Sequence, residues 1–273
     1  MNLIKTTLAV ALASVCASTQ AAHFIFPTGN LSLIGGYTYA EATTEAFGTV
    51  SADGLVDILS GAPTLLGFGA LSEQATDGSA LITYDWVREV TLDAQTDPSS
   101  VGFSIGGTSV IGFDGIAGLQ GVVETSKVEL QTTLMIMPDG ETLGSAIRAR
   151  LSGSADSIFS TSLPGLEQST TFNLIASSGG KSVNYTGNGA AEAFDLSLDT
   201  VVGAEVTLSL SYITRPGWVG AAIDIPAGTV QGFEESGLMA GTLMLAPVPE
   251  PETYALLLAG LGLIGAAARR RRG

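Results

Sequence analysis

The sequence predicts an all-β chain whose main part is a single antiparallel β-sandwich, and three observations carry that prediction. Gly, Ser and Thr fill 89 of 273 positions and only 14% of residues are charged, a composition that excludes a coiled coil or a charge-rich helical solenoid. Apolar and polar residues alternate with a period of two in several stretches, as in strands with one buried face. Turn signals separate those stretches at intervals of about 8 to 12 residues, the rhythm of a sandwich rather than of a repeat array. Hydrophobic residues make up 45%, enough for a packed core.

The elements follow in chain order. Asp53 to Ser60 places Leu55, Ile58 and Leu59 on one side and ends at Gly61, the one short stretch with helical spacing. In Leu81 to Leu92 the even positions Ile82, Tyr84, Trp86, Val90 and Leu92 are apolar, between Thr83, Asp85, Glu89 and Thr91. Val128, Leu130, Leu134 and Ile136 alternate with Glu129, Gln131 and Thr133. Ile147, Ala149 and Leu151 alternate too, so 141–151 reads as a strand although its residues tolerate a helix. Phe194, Leu196 and Leu198 form another run, then Val206, Leu208, Leu210 and Tyr212 after Gly203, and Leu238 to Leu245 a last strand.

Gly106-Gly107, Pro138-Asp139-Gly140, Ser178-Gly179-Gly180 and Gly187-Asn188-Gly189 are the expected turns. The second predicts a hairpin from Val128 to Leu151. Its even and odd apolar sets share a face only if pair sums are odd, which places Glu129 opposite Arg148 or Arg150. Arg215-Pro216-Gly217-Trp218 reads as a turn carrying an exposed tryptophan, which makes Trp218 the candidate for ligand contact. Trp86 shares an apolar strand face and reads as core.

Counting removes much chemistry. The one cysteine is Cys16 and the one histidine His23, so Ser-His-Asp triads, Cys-His pairs and multi-histidine metal sites are excluded. Residues 22–246 hold 24 Asp/Glu against 6 Lys/Arg, a charge of −18 that repels nucleic acid. Asp53 and Asp57, Asp93 and Asp97, and Asp195 and Asp199 are each four apart. No loop has the alternating acidic pattern that calcium sites use, and no motif selects a carboxylate pair for glycoside hydrolysis. No catalytic residue, metal site or cofactor is therefore assigned.

The two ends read as addresses. Residues 1–21 have Lys5, an apolar run too short to span a bilayer, and Thr19-Gln20-Ala21 before a cleavage after Ala21, the pattern of a secretory signal. Cleavage there removes Cys16 and leaves His23 at a mobile terminus. Residues 22–246 form the exported sandwich. Residues 247–253 are a proline-rich linker containing Pro249, Glu250 and Pro251. Residues 254–268 are uncharged and read as a transmembrane helix, and Arg269, Arg270, Arg271 and Arg272 in the 269–273 tail stop it on the cytoplasmic side. Fifteen residues in a helix reach only ~22 Å, short of a hydrocarbon core of ~30 Å, so the insertion is expected to be transient.

Pro-Glu-Pro, a short apolar segment rich in Leu, Ala and Gly, and a terminal arginine cluster together resemble the PEP-CTERM sorting signal, over Val248 to Gly273. Glu252 stands where that family often has Ser or Thr. The resemblance implies export, processing by exosortase, and delivery to the surface or matrix of a Gram-negative bacterium that makes exopolysaccharide, a further partner class. The reading is an acidic, non-catalytic surface protein of the extracellular matrix or biofilm. A carbohydrate- or calcium-binding adhesion module and a secreted carboxylate-dependent glycoside hydrolase are the alternatives.

Overall fold

The computed structural model describes residues 22–25, 36–44, 48–56, 64–74, 80–94, 98–248, 258–261 and 264. The strands are β1 (Ala22–Ile25), β2 (Gly36–Thr44), β3 (Gly48–Val56), β4 (Thr64–Gln74), β5 (Leu81–Ala94), β6 (Ser100–Asp114) and β7 (Leu119–Pro138). They continue with β8 (Ala146–Thr161), β9 (Glu167–Ser178), β10 (Lys181–Gly187), β11 (Glu192–Val201), β12 (Glu205–Ile223) and β13 (Gln231–Pro247). Every pairing among them is antiparallel.

Two sheets result, and neither closes into a barrel. The first has the order β10-β9-β12-β7-β2-β3 with β1 also on β7, and the second β11-β8-β13-β6-β5-β4. They lie face to face, since side chains of β5 and β13 bond to those of β7 and β12. Alternation creates this arrangement: Val128, Leu130, Leu134 and Ile136 of β7 and Val206, Leu208, Leu210 and Tyr212 of β12 are all buried. Ile82, Tyr84, Trp86, Val90 and Leu92 of β5 face them from the second sheet. One contiguous apolar core links the two layers.

Ser178-Gly179-Gly180 is the turn the sequence predicts. Lys181 pairs with Ser178, and Gly179 and Gly180 both have positive φ, 56° and 79°, the conformation a two-residue hairpin loop requires. Gly106-Gly107 is not a turn but lies within β6. Asp53 to Val56, read as helical, belongs to β3.

The Val128–Leu151 hairpin does not form either. Residues 146–151 are strand, as expected, but β7 and β8 belong to different sheets. The segment 139–145 is longer than a tight hairpin loop, and it carries the chain across to the opposite layer. β7 pairs with β12 and β2 instead, which puts Ser211 opposite Glu129. Glu129 takes its ion pair from Lys127 at 2.8 Å. Arg148 and Arg150 reach Asp199 and Asp195 of β11 at 2.7 and 2.5 Å.

His23 is held in a strand rather than mobile. It pairs with Met137 in the short β1, between buried Ala22 and Phe24, and the Phe24 amide donates to the Pro98 carbonyl at 2.9 Å. The expected transmembrane helix is corrected as well. Among the described residues no helix is long and apolar enough to cross a membrane. The helical residues described there are 258–261 and 264, with Leu258 and Leu261 exposed. The signal segment with Ala21, the motif Pro249, Glu250 and Pro251, and Arg269, Arg270, Arg271 and Arg272 lie outside the described residues.

β13 is the last of the described strands yet sits between β8 and β6, inside its sheet. It pairs along most of its length on both sides, from Phe233–Thr161 to Pro247–Ile147 and from Gln231–Phe113 to Met244–Ser100. Whatever follows Pro247 is therefore tied to an interior strand.

Candidate functional site

Midway along the sandwich the apolar core is interrupted by a belt of buried polar residues. Thr38 on β2, Ser126 on β7, Thr214 on β12 and Thr170 on β9 form one cross-strand row of the first sheet. Opposite, Arg88 on β5 aligns with Gly107 of β6, and Gly107 with Gly237 of β13. The next row holds Ser109 beside Glu235, while Glu124 of β7 reaches in from the first sheet. Arg88, Glu124 and Glu235 are sealed from solvent, each at 0% exposure.

The two inward glycines make the space. A Cβ on Gly107 would stand 2.6 Å from Arg88 Cδ, and one on Gly237 2.7 Å from the Tyr212 ring. Glycine inside a strand normally weakens it; here it admits a guanidinium and a phenol ring between the layers. Gly237→Val should therefore destabilise the fold by about 1–3 kcal/mol, read as a lowered urea midpoint with unchanged slope.

Arg88 Nη2 donates to Glu124 Oε1 at 2.9 Å, Ser109 Oγ at 2.6 Å and Ser126 Oγ at 2.7 Å. Its Nη1 donates to the Val87 and Thr108 carbonyls at 2.8 and 2.6 Å. Glu124 Oε1 also accepts from Tyr84 at 3.0 Å, Ser109 at 2.6 Å and Ser126 at 2.8 Å. Glu235 lies farther off, with Oε2 3.8 Å from Nη2, and Tyr212 donates to its other oxygen. The guanidinium carbon stands 5.8 Å from the centre of the Tyr212 ring, within cation–π range.

One cation faces two carboxyl groups, and burial acts strongly on Glu235. Glu235 is pushed up to about 8, first by desolvation and further by Glu124, against the pull of Arg88. The Tyr84 hydroxyl is raised far above the ordinary phenol range, by burial and then by Glu124. Arg88 and Glu124 form the close ion pair at 2.9 Å, and Glu235 is a neutral hydrogen-bonding acid at pH 7. Arg88 Nε and Glu124 Oε2 have no partner among the described residues. Closed to solvent, the cluster can join the sheets and set their register; it offers no substrate an entrance.

The residues singled out from sequence fall elsewhere. Trp218 is not on a turn: β12 runs straight through Arg215-Pro216-Gly217-Trp218, with Gly217 paired to Val123 and Trp218 to Val122. Its half-buried ring packs on the core and borders the Gly165 turn, where an added Cβ would meet it at 3.6 Å. Asp195 and Asp199 are each bonded to an arginine, which holds both carboxyls below their ordinary range. The side chains of the other two acidic pairs lie outside the described residues. No group of three or more His, Cys, Asp or Glu able to hold a metal ion occurs among the described residues.

Sequence reading passed over the belt, although its signal was present. Arg88 occupies an even position in the run Ile82 to Leu92. Glu124 and Ser126 share the parity of Val122 and Val128, and Glu235 that of Phe233 and Met239. A charge on the buried parity of a strand is the mark of an internal pair.

The remaining functional element begins where β13 ends. Residues 247–272 match the family model of the PEP-CTERM protein-sorting motif. This chain carries that motif. The PEP-CTERM motif makes the chain a substrate for processing by exosortase and places it on an export and sorting route. It overlaps β13 at Pro247, so the sorting signal and the innermost part of the second sheet are continuous.

No curated protein matches the chain. Among solved structures, one of the infectious bursal disease virus Gx strain is 11% identical, covering 86% of this chain and 68% of that one, with a TM-score of 0.16. The infectious bursal disease virus VP2 subviral particle is 12% identical over 92% and 75%, with a TM-score of 0.14. Likeness at this level carries no argument about the fold or role of the PEP-CTERM chain.

Proposed function

We propose that this protein is a non-catalytic component of the cell surface or extracellular matrix of a Gram-negative bacterium, released there after exosortase acts on its PEP-CTERM segment. The sandwich, residues 22–246, is the delivered part, and exopolysaccharide is its surroundings. The observation that carries the reading is the motif at 247–272 joined directly to β13, behind a segment 1–21 with the pattern of a secretory signal. The charge of −18 over 22–246 supports a soluble, mutually repelling surface protein. The inaccessibility of its strongest titratable cluster supports a structural role over a chemical one.

Replacing Pro249, Glu250 and Pro251 with alanine should leave unprocessed chain inside the cell and little outside. Mass spectrometry of the external protein decides the matter. A chain that has lost Arg269 to Gly273 agrees with the proposal, and a surface form retaining that end overturns it.

A further inference from the structure

The outer faces of the two sheets differ in kind. On the second sheet the outward residues include Asp85, Glu89, Arg148, Arg150, Asp156, Asp195, Asp199 and Glu234, two of them paired with two others. On the first sheet the register assembles a block made mostly of short, uncharged polar side chains over β7, β12, β9 and β10, with the exposed Ile175 among them. Thr133, Thr207, Ser177 and Ser182 make one row; Gln131, Ser209, Ile175 and Asn184 the next; Glu129, Ser211, Asn173 and Thr186 the third. Of these twelve positions only Glu129 is charged, and Lys127 neutralises it at 2.8 Å. In a chain with a net charge of −15, so large an uncharged area is a departure in composition.

Beside the block, on β2, Tyr37 and Tyr39 point outward at 42% and 38% exposure. Tyr37 pairs with Lys127 and Tyr39 with Thr125, so Tyr37 lies one outward row beyond Glu129 and Tyr39 two, and the Tyr39 hydroxyl donates to the Glu41 carboxylate. Successive outward positions are ~6.8 Å apart along a strand and neighbouring strands ~4.8 Å apart. The surface from β2 to β10 thus spans ~19 Å across five strands, with two aromatic rings at one end, the Lys127–Glu129 pair beside them, and mostly hydroxyls and amides around the exposed Ile175 over the rest. Asn173 Nδ2 donates to Ser211 Oγ and Asn173 Oδ1 accepts from Thr186 Oγ1, both at 3.1 Å, which holds these groups in place on a sheet whose other face is core.

We infer that this outer face, from Tyr37 and Tyr39 across to Thr186, binds an uncharged polysaccharide chain lying across the strands. Sugar rings present apolar C–H faces that suit tyrosine rings, and equatorial hydroxyls that exchange hydrogen bonds with Ser, Thr, Asn and Gln. The charge on the protein favours a neutral glycan, because a uronate-rich chain would be repelled by the remaining carboxylates. The inference rests on the proposed matrix role and names the face and the chemical class of its partner.

The test uses the exported protein in affinity electrophoresis through gels containing hydroxyethyl cellulose, a neutral glucan, or alginate, an acidic glycan. Retardation by the glucan and none by alginate is expected. The double variant Tyr37→Ala/Tyr39→Ala and the separate variant Ser209→Glu should each lower apparent affinity at least tenfold at unchanged melting temperature. Ser154→Glu, on the other sheet, should leave it intact. Absence of retardation by the glucan, retardation by alginate alone, or glucan binding that survives both face variants overturns the inference. So does sedimentation showing that the face variants convert a dimer to a monomer, which assigns the face to a second copy. An exported, correctly processed protein that binds no glucan sinks this inference and leaves the sorting route untouched, whereas failure of processing sinks the proposed function whatever the gels show.

Discussion

Arg88→Leu should destabilise the sandwich by about 3–5 kcal/mol, the cost of stranding a buried carboxylate without its cation. The size follows from Glu124. Its Oε1 accepts from Arg88, Tyr84, Ser109 and Ser126, while Oε2 has no partner among the described residues. Remove the guanidinium and the charge is left in the core with hydroxyl partners alone. Adding Glu124→Gln and Glu235→Gln to Arg88→Leu should recover a large part of the loss, because the uncompensated charge goes with them. Chemical denaturation of the three proteins measures this. A single Arg88→Leu variant as stable as the parent would show that the pair contributes nothing.

Glu235→Gln should flatten the dependence of stability on pH between about 5 and 8. The Glu235 carboxyl lies at about 8 in the folded protein, against an ordinary 4.5, so the folded state binds the proton more tightly than the unfolded one. Its contribution is fully present below about 4.5, declines as pH rises, and is lost once pH passes about 8. The limiting slope for one proton is about 1.4 kcal/mol per pH unit. Denaturant midpoints of parent and variant should therefore diverge with rising pH, the variant becoming the more stable partner in alkali. Parallel profiles would mean that Glu235 is ionised in the fold at neutral pH.

Local information was sufficient for much of this architecture. Alternation over Leu81–Leu92, Val128–Ile136 and Val206–Tyr212 identified strands and their buried faces, because a period of two is a property of the strand itself. The Gly179-Gly180 turn was legible for the same reason, since two adjacent residues at positive φ call for glycine. Partner choice was not legible. Whether β8 follows β7 in one sheet or crosses to the other depends on β12 and β13, some seventy to a hundred residues away in sequence. Gly106-Gly107 misled for a related reason: what requires glycine there is the close approach of neighbouring strands, the Gly237 carbonyl at Gly106 and the Val87 carbonyl with Arg88 at Gly107, not a bend in the chain. The sorting motif was legible in full because it works as a linear sequence, read before any tertiary contact matters.

The interior position of β13 has a consequence for the order of events in export. Chain emerging from a translocation pore appears from its N-terminal end, so β6 and β8 arrive long before the strand that must lie between them. Until residues 231–247 have emerged, each presents an unpaired edge toward a gap, and the Glu235 side of the belt is missing as well. The second sheet closes only when nearly all of the sandwich has been threaded through. A chain threaded in that order carries exposed edges, vulnerable to aggregation and proteolysis, for the whole transit. A stall introduced just before residue 231 should leave a protease-sensitive chain, and one placed well beyond residue 247 a resistant one.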